Sequence, residues 1–168
     1  MTTSPAYPAV VFPIGQAWQI ARPSYLHDTG GIPGNVALDF MAPGGANVLA
    51  PERCKVIRLS GHDPKSGTWA NGRPDPRGSV FGWSCYLETA AGYVYFVTHL
   101  GDRRVKVGQW IPGGGLLGKV GHWPNDPVRS HLHLGVTAPG GRAKSVARIR
   151  RVAAAPRVRV RPAGDGEA

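Results

Sequence analysis

Long apolar runs are missing from this sequence. A bilayer-spanning helix needs about 18 or more consecutive apolar residues, and no such stretch occurs among the 168 residues, so no membrane role is expected. Cysteine is almost missing. Cys54 and Cys85 are the only two, too few for a disulfide framework and without the Cys-x-x-Cys spacing of a zinc knuckle. The opening residues Met1-Thr2-Thr3-Ser4-Pro5 lack the basic start and apolar core of a secretory signal. The expectation is therefore a protein that stays in the cytoplasm until lysis releases it, or that travels on a particle, with both thiols reduced and buried. Acids are scarce, 10 Asp and Glu against 20 Lys and Arg, for a net charge of +10. No sustained helical period with caps, no internal repeat and no dividing linker can be found, which points away from a helical or modular protein.

Present instead are 24 Gly and 16 Pro, a density of breakers that favours short strands and long loops. The clearest hairpin joins Val80–Glu88 to Tyr93–Leu100 through Thr89-Ala90-Ala91-Gly92. Shorter strand candidates are Ala17–Ala21, Val36–Phe40, Val48–Pro51, Arg53–Leu59, Arg104–Val107, Gln109–Ile111 and Leu116–Gly121. Simple alternation in Arg53–Leu59 puts Cys54, Val56 and Arg58 on one face and Arg53, Lys55, Ile57 and Leu59 on the other. Residues 61–78, polar apart from Trp69, read as a long functional surface loop. The expected architecture is mainly β: an antiparallel β-sheet domain with a groove and long loops. Its divisions are a lead-in over 1–22, the β domain over 23–140 and a basic tail over 141–168. Eight cations and no acid lie between Arg142 and Arg161, a composition suited either to a polyanion partner, nucleic acid or an anionic wall polymer, or to a solvated tail. Within it Arg157–Arg161 alternates like a strand.

The chemistry gathers at Ser130-His131-Leu132-His133-Leu134-Gly135. On an extended strand His131 and His133 share a face while Leu132 and Leu134 turn to the core. Two imidazoles do not make a metal site, which wants three or four ligands. Asp39, an acid inside the apolar run Val36–Phe40, is costly to bury without a cation or donors. His99 closes the run Tyr93–Thr98. The Gly-rich loop Ser24–Asn35 is able to fold His27 back over the strand that follows. His62 and His122 read as loop or cleft-rim residues, and no His-Glu-x-x-His helix exists to support a Glu-based metalloprotease.

Four stretches over about residues 27–136 resemble the lysostaphin-type zinc metallopeptidases, which cut peptidoglycan. They are Ala37–Gly44 with Val48–Pro51, Tyr95–Leu100, Val105–Gln109 with Leu117–Gly121, and His131–Gly135. The resemblance implies the lysostaphin-like peptidase fold, Zn2+ as cofactor, Asp39 and His133 as ligands, and His99 and His131 flanking the reacting water. The family's first ligand, a His four residues before the Asp, falls here on Asn35. A neutral amide is a poor zinc ligand beside imidazole, so the first metal ligand is expected to be His27, with Asn35 as the alternative. The implied function is zinc-dependent hydrolysis of peptide bonds in bacterial peptidoglycan, as in a phage lysin or a virion-associated wall-degrading enzyme, with the basic tail on an anionic wall polymer. The rivals are a catalytically degenerate module that binds wall peptide or a protein partner, and a nucleic-acid binder acting through Arg142–Arg161, which leaves the histidines unexplained.

Overall fold

The short apolar runs form strands in a computed structural model, which describes residues 10–15, 26–28, 32–61, 82–121 and 130–160. Among these residues the strands are β1 (Val36–Met41), β2 (Asn47–Leu49), β3 (Cys54–Gly61), β4 (Trp83–Glu88), β5 (Val94–Arg103), β6 (Trp110–Ile111), β7 (Leu116–Val120) and β8 (His131–Thr137), followed by one helix, α1 (Arg142–Ala153). They make one antiparallel sheet in the order β1-β8-β5-β4-β3-β6, with β7 on β5 and β2 on β7. The expected strand at Ala17–Ala21, Trp69 with most of its loop, His62 and His122 lie outside the described residues.

One face of the sheet is the core. Leu38, Phe40, Val56, Cys85, Leu87, Tyr95, Val97, Leu132, Leu134 and Val136 are all buried there, and Ile149 and Val152 of α1 pack into the same cluster. Burying such side chains stabilises by roughly 1.5–3 kcal/mol each. Residues 10–15 join the layer. Val11, Phe12 and Ile14 are buried, Ile14 bridges Val48, and the Phe12 ring meets Phe40 edge-on at 5.3 Å. Both cysteines are buried and unbridged.

Three expectations need correction. The first concerns α1: the sequence shows no sustained helical period, yet Arg142–Ala153 of the basic stretch forms a helix. Ser145, Ile149 and Val152 are spaced at four and three residues and all turn inward, so the inward stripe is one residue wide and easily hidden by the five cations of the helix. Arg157–Val160 forms no strand; Arg157 instead lies over the Phe12 ring at 4.0 Å.

The second is β5, which does not stop at His99 but runs on to Arg103. Its first half, Val94–Thr98, pairs with β8, and its second half, from Leu100, pairs with β7. His99 sits at the change of partner with φ 67°, the only non-glycine residue in the left-handed region among those described. Gly121 N–H donates to its carbonyl at 2.8 Å, and a Cβ on the adjacent Gly101 would lie 2.8 Å from Gly121 Cα, so the strands cross where only glycines fit.

The third is β3. Lys55 opposes Glu88 and Val56 opposes Leu87, but Arg58 opposes Tyr86, so the register shifts by one residue at Ile57. A bulge of this kind flips every later side chain. Arg58 therefore joins Lys55 on the open face, and Leu59 turns toward Cys85.

Candidate metal centre

Directly opposed residues of antiparallel strands point to the same face, so the open face can be read as rows across the sheet. Asp39 (β1) opposes His133 (β8), which opposes Thr98 (β5), and Thr98 Oγ1 lies 2.6 Å from Ser84 Oγ of β4. His131 opposes Met41, one step along the same face. His27 arrives from outside the named strands. Its N–H donates to Ala37 O at 3.1 Å and its carbonyl accepts from Ala37 N–H at 2.7 Å. That bridge adds one residue to the free edge of β1 and sets His27 diagonal to Asp39. Ala37 and its opposite number Gly135 have little or no side chain, which leaves the imidazole room to lean inward.

The result is a triangle of ligand atoms. His133 Nδ1 lies 3.1 Å from Asp39 Oδ1 and 3.1 Å from His27 Nε2, and His27 Nε2 lies 3.4 Å from Asp39 Oδ1. A tetrahedral ion with bonds of about 2.0–2.2 Å separates its ligand atoms by roughly 3.3–3.6 Å. His27, Asp39 and His133 thus fit a divalent metal, and they form the one such His/Cys/Asp/Glu group among the described residues. A proton network fits less well, because His133 Nδ1 cannot both donate to Asp39 and accept from His27. Burial alone pushes the Asp39 carboxyl up. The hydrogen bond with His133 and the fields of His131, His133 and His27 outweigh it and hold the group below its ordinary value of 3.8.

His131 Nε2 lies 3.8 Å from Asp39 Oδ1, outside the triangle. Its ring meets His99 edge-on with centroids 4.7 Å apart, and His99 stands 5.9 Å from the His133 ring. Five residues singled out in the sequence therefore converge, three as a cradle and two beside it. Asn35 points toward the same face but lies four residues from Asp39, about 13 Å along an extended strand. Its Nδ2 donates to Thr137 Oγ1 at 3.2 Å.

Sequence reading missed what holds His27 in place. The Arg142 guanidinium of α1 pairs with Asp28 and also donates to Asn35 O at 3.3 Å. Buried Ser145 donates to Gly34 O at 2.9 Å and accepts from Ala138 N–H at 2.9 Å. One turn further, Arg148 meets Glu52, which also accepts the Tyr95 hydroxyl proton at 2.6 Å. The basic segment thus braces the edge that carries His27. An Asp directly after the candidate ligand was the available signal, but its partner lies 114 residues away.

No protein-family model and no curated protein matches the chain. Solved structures do match. A zinc-containing peptidase from Vibrio cholerae is 23% identical, with 77% of this chain and 37% of that one covered and a TM-score of 0.50. The antimicrobial peptidase lysostaphin from Staphylococcus simulans is 18% identical over 92% of this chain and 56% of its own, TM-score 0.50. The solution structure of lysostaphin gives 17% identity, 92% and 57% coverage, and a TM-score of 0.50. The chain thus spans only 37–57% of these proteins. Sheet and cradle together define an open antiparallel β protein with a two-histidine, one-carboxylate group that could hold a metal ion. The fold is the lysostaphin-like peptidase fold.

Proposed function

We propose that the protein is a zinc-dependent endopeptidase that hydrolyses peptide bonds in bacterial peptidoglycan. The observation that carries this reading is the 3.1, 3.1 and 3.4 Å triangle of His133, Asp39 and His27, matched to a tetrahedral ion and flanked by His99 and His131. Its fold partners support it, since lysostaphin is an antimicrobial peptidase and the Vibrio cholerae protein a zinc-containing one. When bound, zinc supplies a Lewis acid for the scissile carbonyl and makes a water acidic near neutral pH. The protein's own share is proton handling. Of the two imidazoles beside the cradle, one accepts the proton of the attacking water and returns it to the leaving amine, while the other donates a hydrogen bond to the oxygen that gains charge. Each such role is worth ~10² to 10⁴ in rate. Three exposed cations of α1, Lys144, Arg150 and Arg151, stand on the helix away from its buried side and would hold the enzyme against an anionic wall polymer.

The test is metal content and wall hydrolysis measured together. Purified protein is expected to carry near-stoichiometric zinc and to clear cell-wall suspensions. His133→Ala should lose both, and His131→Ala should keep the metal while losing activity by ~10² or more. Protein that binds no zinc and leaves walls intact would instead be a binding module on this fold.

A further inference from the structure

The open face does not end at the cradle. Adjacent to the Asp39-His133-Thr98 row runs a second row, His27-Ala37-Gly135-Phe96-Tyr86-Arg58, set by register across β1, β8, β5, β4 and β3. Its far half is aromatic and cationic. The Phe96 ring stands 6.2 Å from His133 and 4.8 Å from Tyr86, and the Arg58 guanidinium carbon lies 5.2 Å above Tyr86. Phe96 and Tyr86 are half-buried and Arg58 is exposed. The charges of the neighbouring row cancel, since Lys55 opposes Glu88, and Arg53 at the sheet edge covers Trp110 at 4.2 Å. Among the described residues no carboxylate pairs with Arg58; its partner is the Tyr86 ring. It reaches this face only through the bulge at Ile57, without which it would point into the core. Bulges that re-aim a side chain gather beside functional sites.

We propose that this row binds an extended peptide whose free carboxylate is taken by Arg58. Phe96 and Tyr86 carry the intervening backbone and its short side chains. Three strand spacings of about 4.8 Å separate Arg58 from His133, close to 14 Å, the reach of about four extended residues. The recognised feature is therefore a carboxylate about four residues from the metal centre. A stacked guanidinium keeps its in-plane N–H groups free for such an anion. That the bond cut lies at the cradle rests on the peptidase reading; that the face binds a carboxylate peptide does not.

The experiment uses the whole zinc-loaded protein and labelled pentapeptides of glycine and alanine, each as free acid and as C-terminal amide. Hydrolysis and binding are both followed, binding by fluorescence anisotropy. The free acid should bind about tenfold tighter, one step of charge-assisted pairing, and the advantage should shrink with added salt. Arg58→Ala should erase the difference, and Arg58→Lys should restore part of it. Equal binding of acid and amide by the wild-type protein, or a preference that survives in Arg58→Ala, overturns the proposal even if both peptides are cleaved. A preference lost in Arg58→Ala without any cleavage would uphold the carboxylate site and refute the peptidase reading instead.

Discussion

His99 is the one non-glycine residue among those described that is held at positive φ, 67°. A β-carbon in that region costs roughly 1–2 kcal/mol, and strain of this kind persists only where the surroundings enforce it. Here the exchange of β8 for β7 along β5, fixed by the Gly121 N–H on the His99 carbonyl, does so. The geometry also aims the ring at His131. His99→Gly should therefore be more stable than His99→Ala by about 1 kcal/mol in urea unfolding, although both lose the same side chain. Both should lose hydrolysis by ~10² or more. An alanine variant as stable as the glycine variant would mean that the bend stores no strain.

At the scale of the element, α1 decides where His27 stands. Ser145 is fully buried and serves two backbone groups, Gly34 O and Ala138 N–H. Ser145→Ala leaves both unsatisfied and should cost about 1–3 kcal/mol in thermal or urea unfolding. Arg142 and Asp28 are more than half exposed, so their pairing adds little to global stability. Its work is local. Arg142→Ala should change the unfolding free energy by less than about 0.5 kcal/mol yet weaken zinc binding roughly tenfold in chelator competition, the low end of what outer partners of ligands are worth. Zinc affinity unchanged in Arg142→Ala would show that the bridge to Ala37 alone fixes His27. The helix also marks where sequence reading ran short. Three inward residues among five cations give a weak period, and the register flip at Ile57 cannot be seen in a strand read without its partner.

For the molecule as a whole, ionisation bounds the pH range of stability. Burial pushes the Cys54 thiol up, with Cys85 and Glu52 adding to it, and burial pushes Cys85 up to about 12. A thiol that titrates later in the folded than in the unfolded chain contributes stability that is intact below its ordinary value of 9.0 and lost as pH rises toward 12. Asp39, held below its ordinary 3.8, acts at the other end. Its contribution is present above that value and lost as pH falls through the lower folded one. Melting temperatures of the metal-free protein should thus form a plateau between about pH 4 and 9. The alkaline fall should be shallower in the Cys54→Ala/Cys85→Ala double variant, and a thiol reagent should label the native protein no faster than it unfolds. An alkaline limb identical in that variant would assign the fall to other groups.

The sequence alone determined the class of fold and the chemistry of the site. Strand-length apolar runs between glycines and prolines can form only short strands, and an acid or a His-x-His pair on such strands advertises ligands through period-two alternation, a local property. Which residues meet is not local. The choice of His27 beside Asp39 and His133, the left-handed turn at His99, the docking of α1 and the outward aim of Arg58 each follow from a register between segments far apart in the chain. Register is fixed when the sheet buries its apolar face as a whole, so only the tertiary structure could decide them.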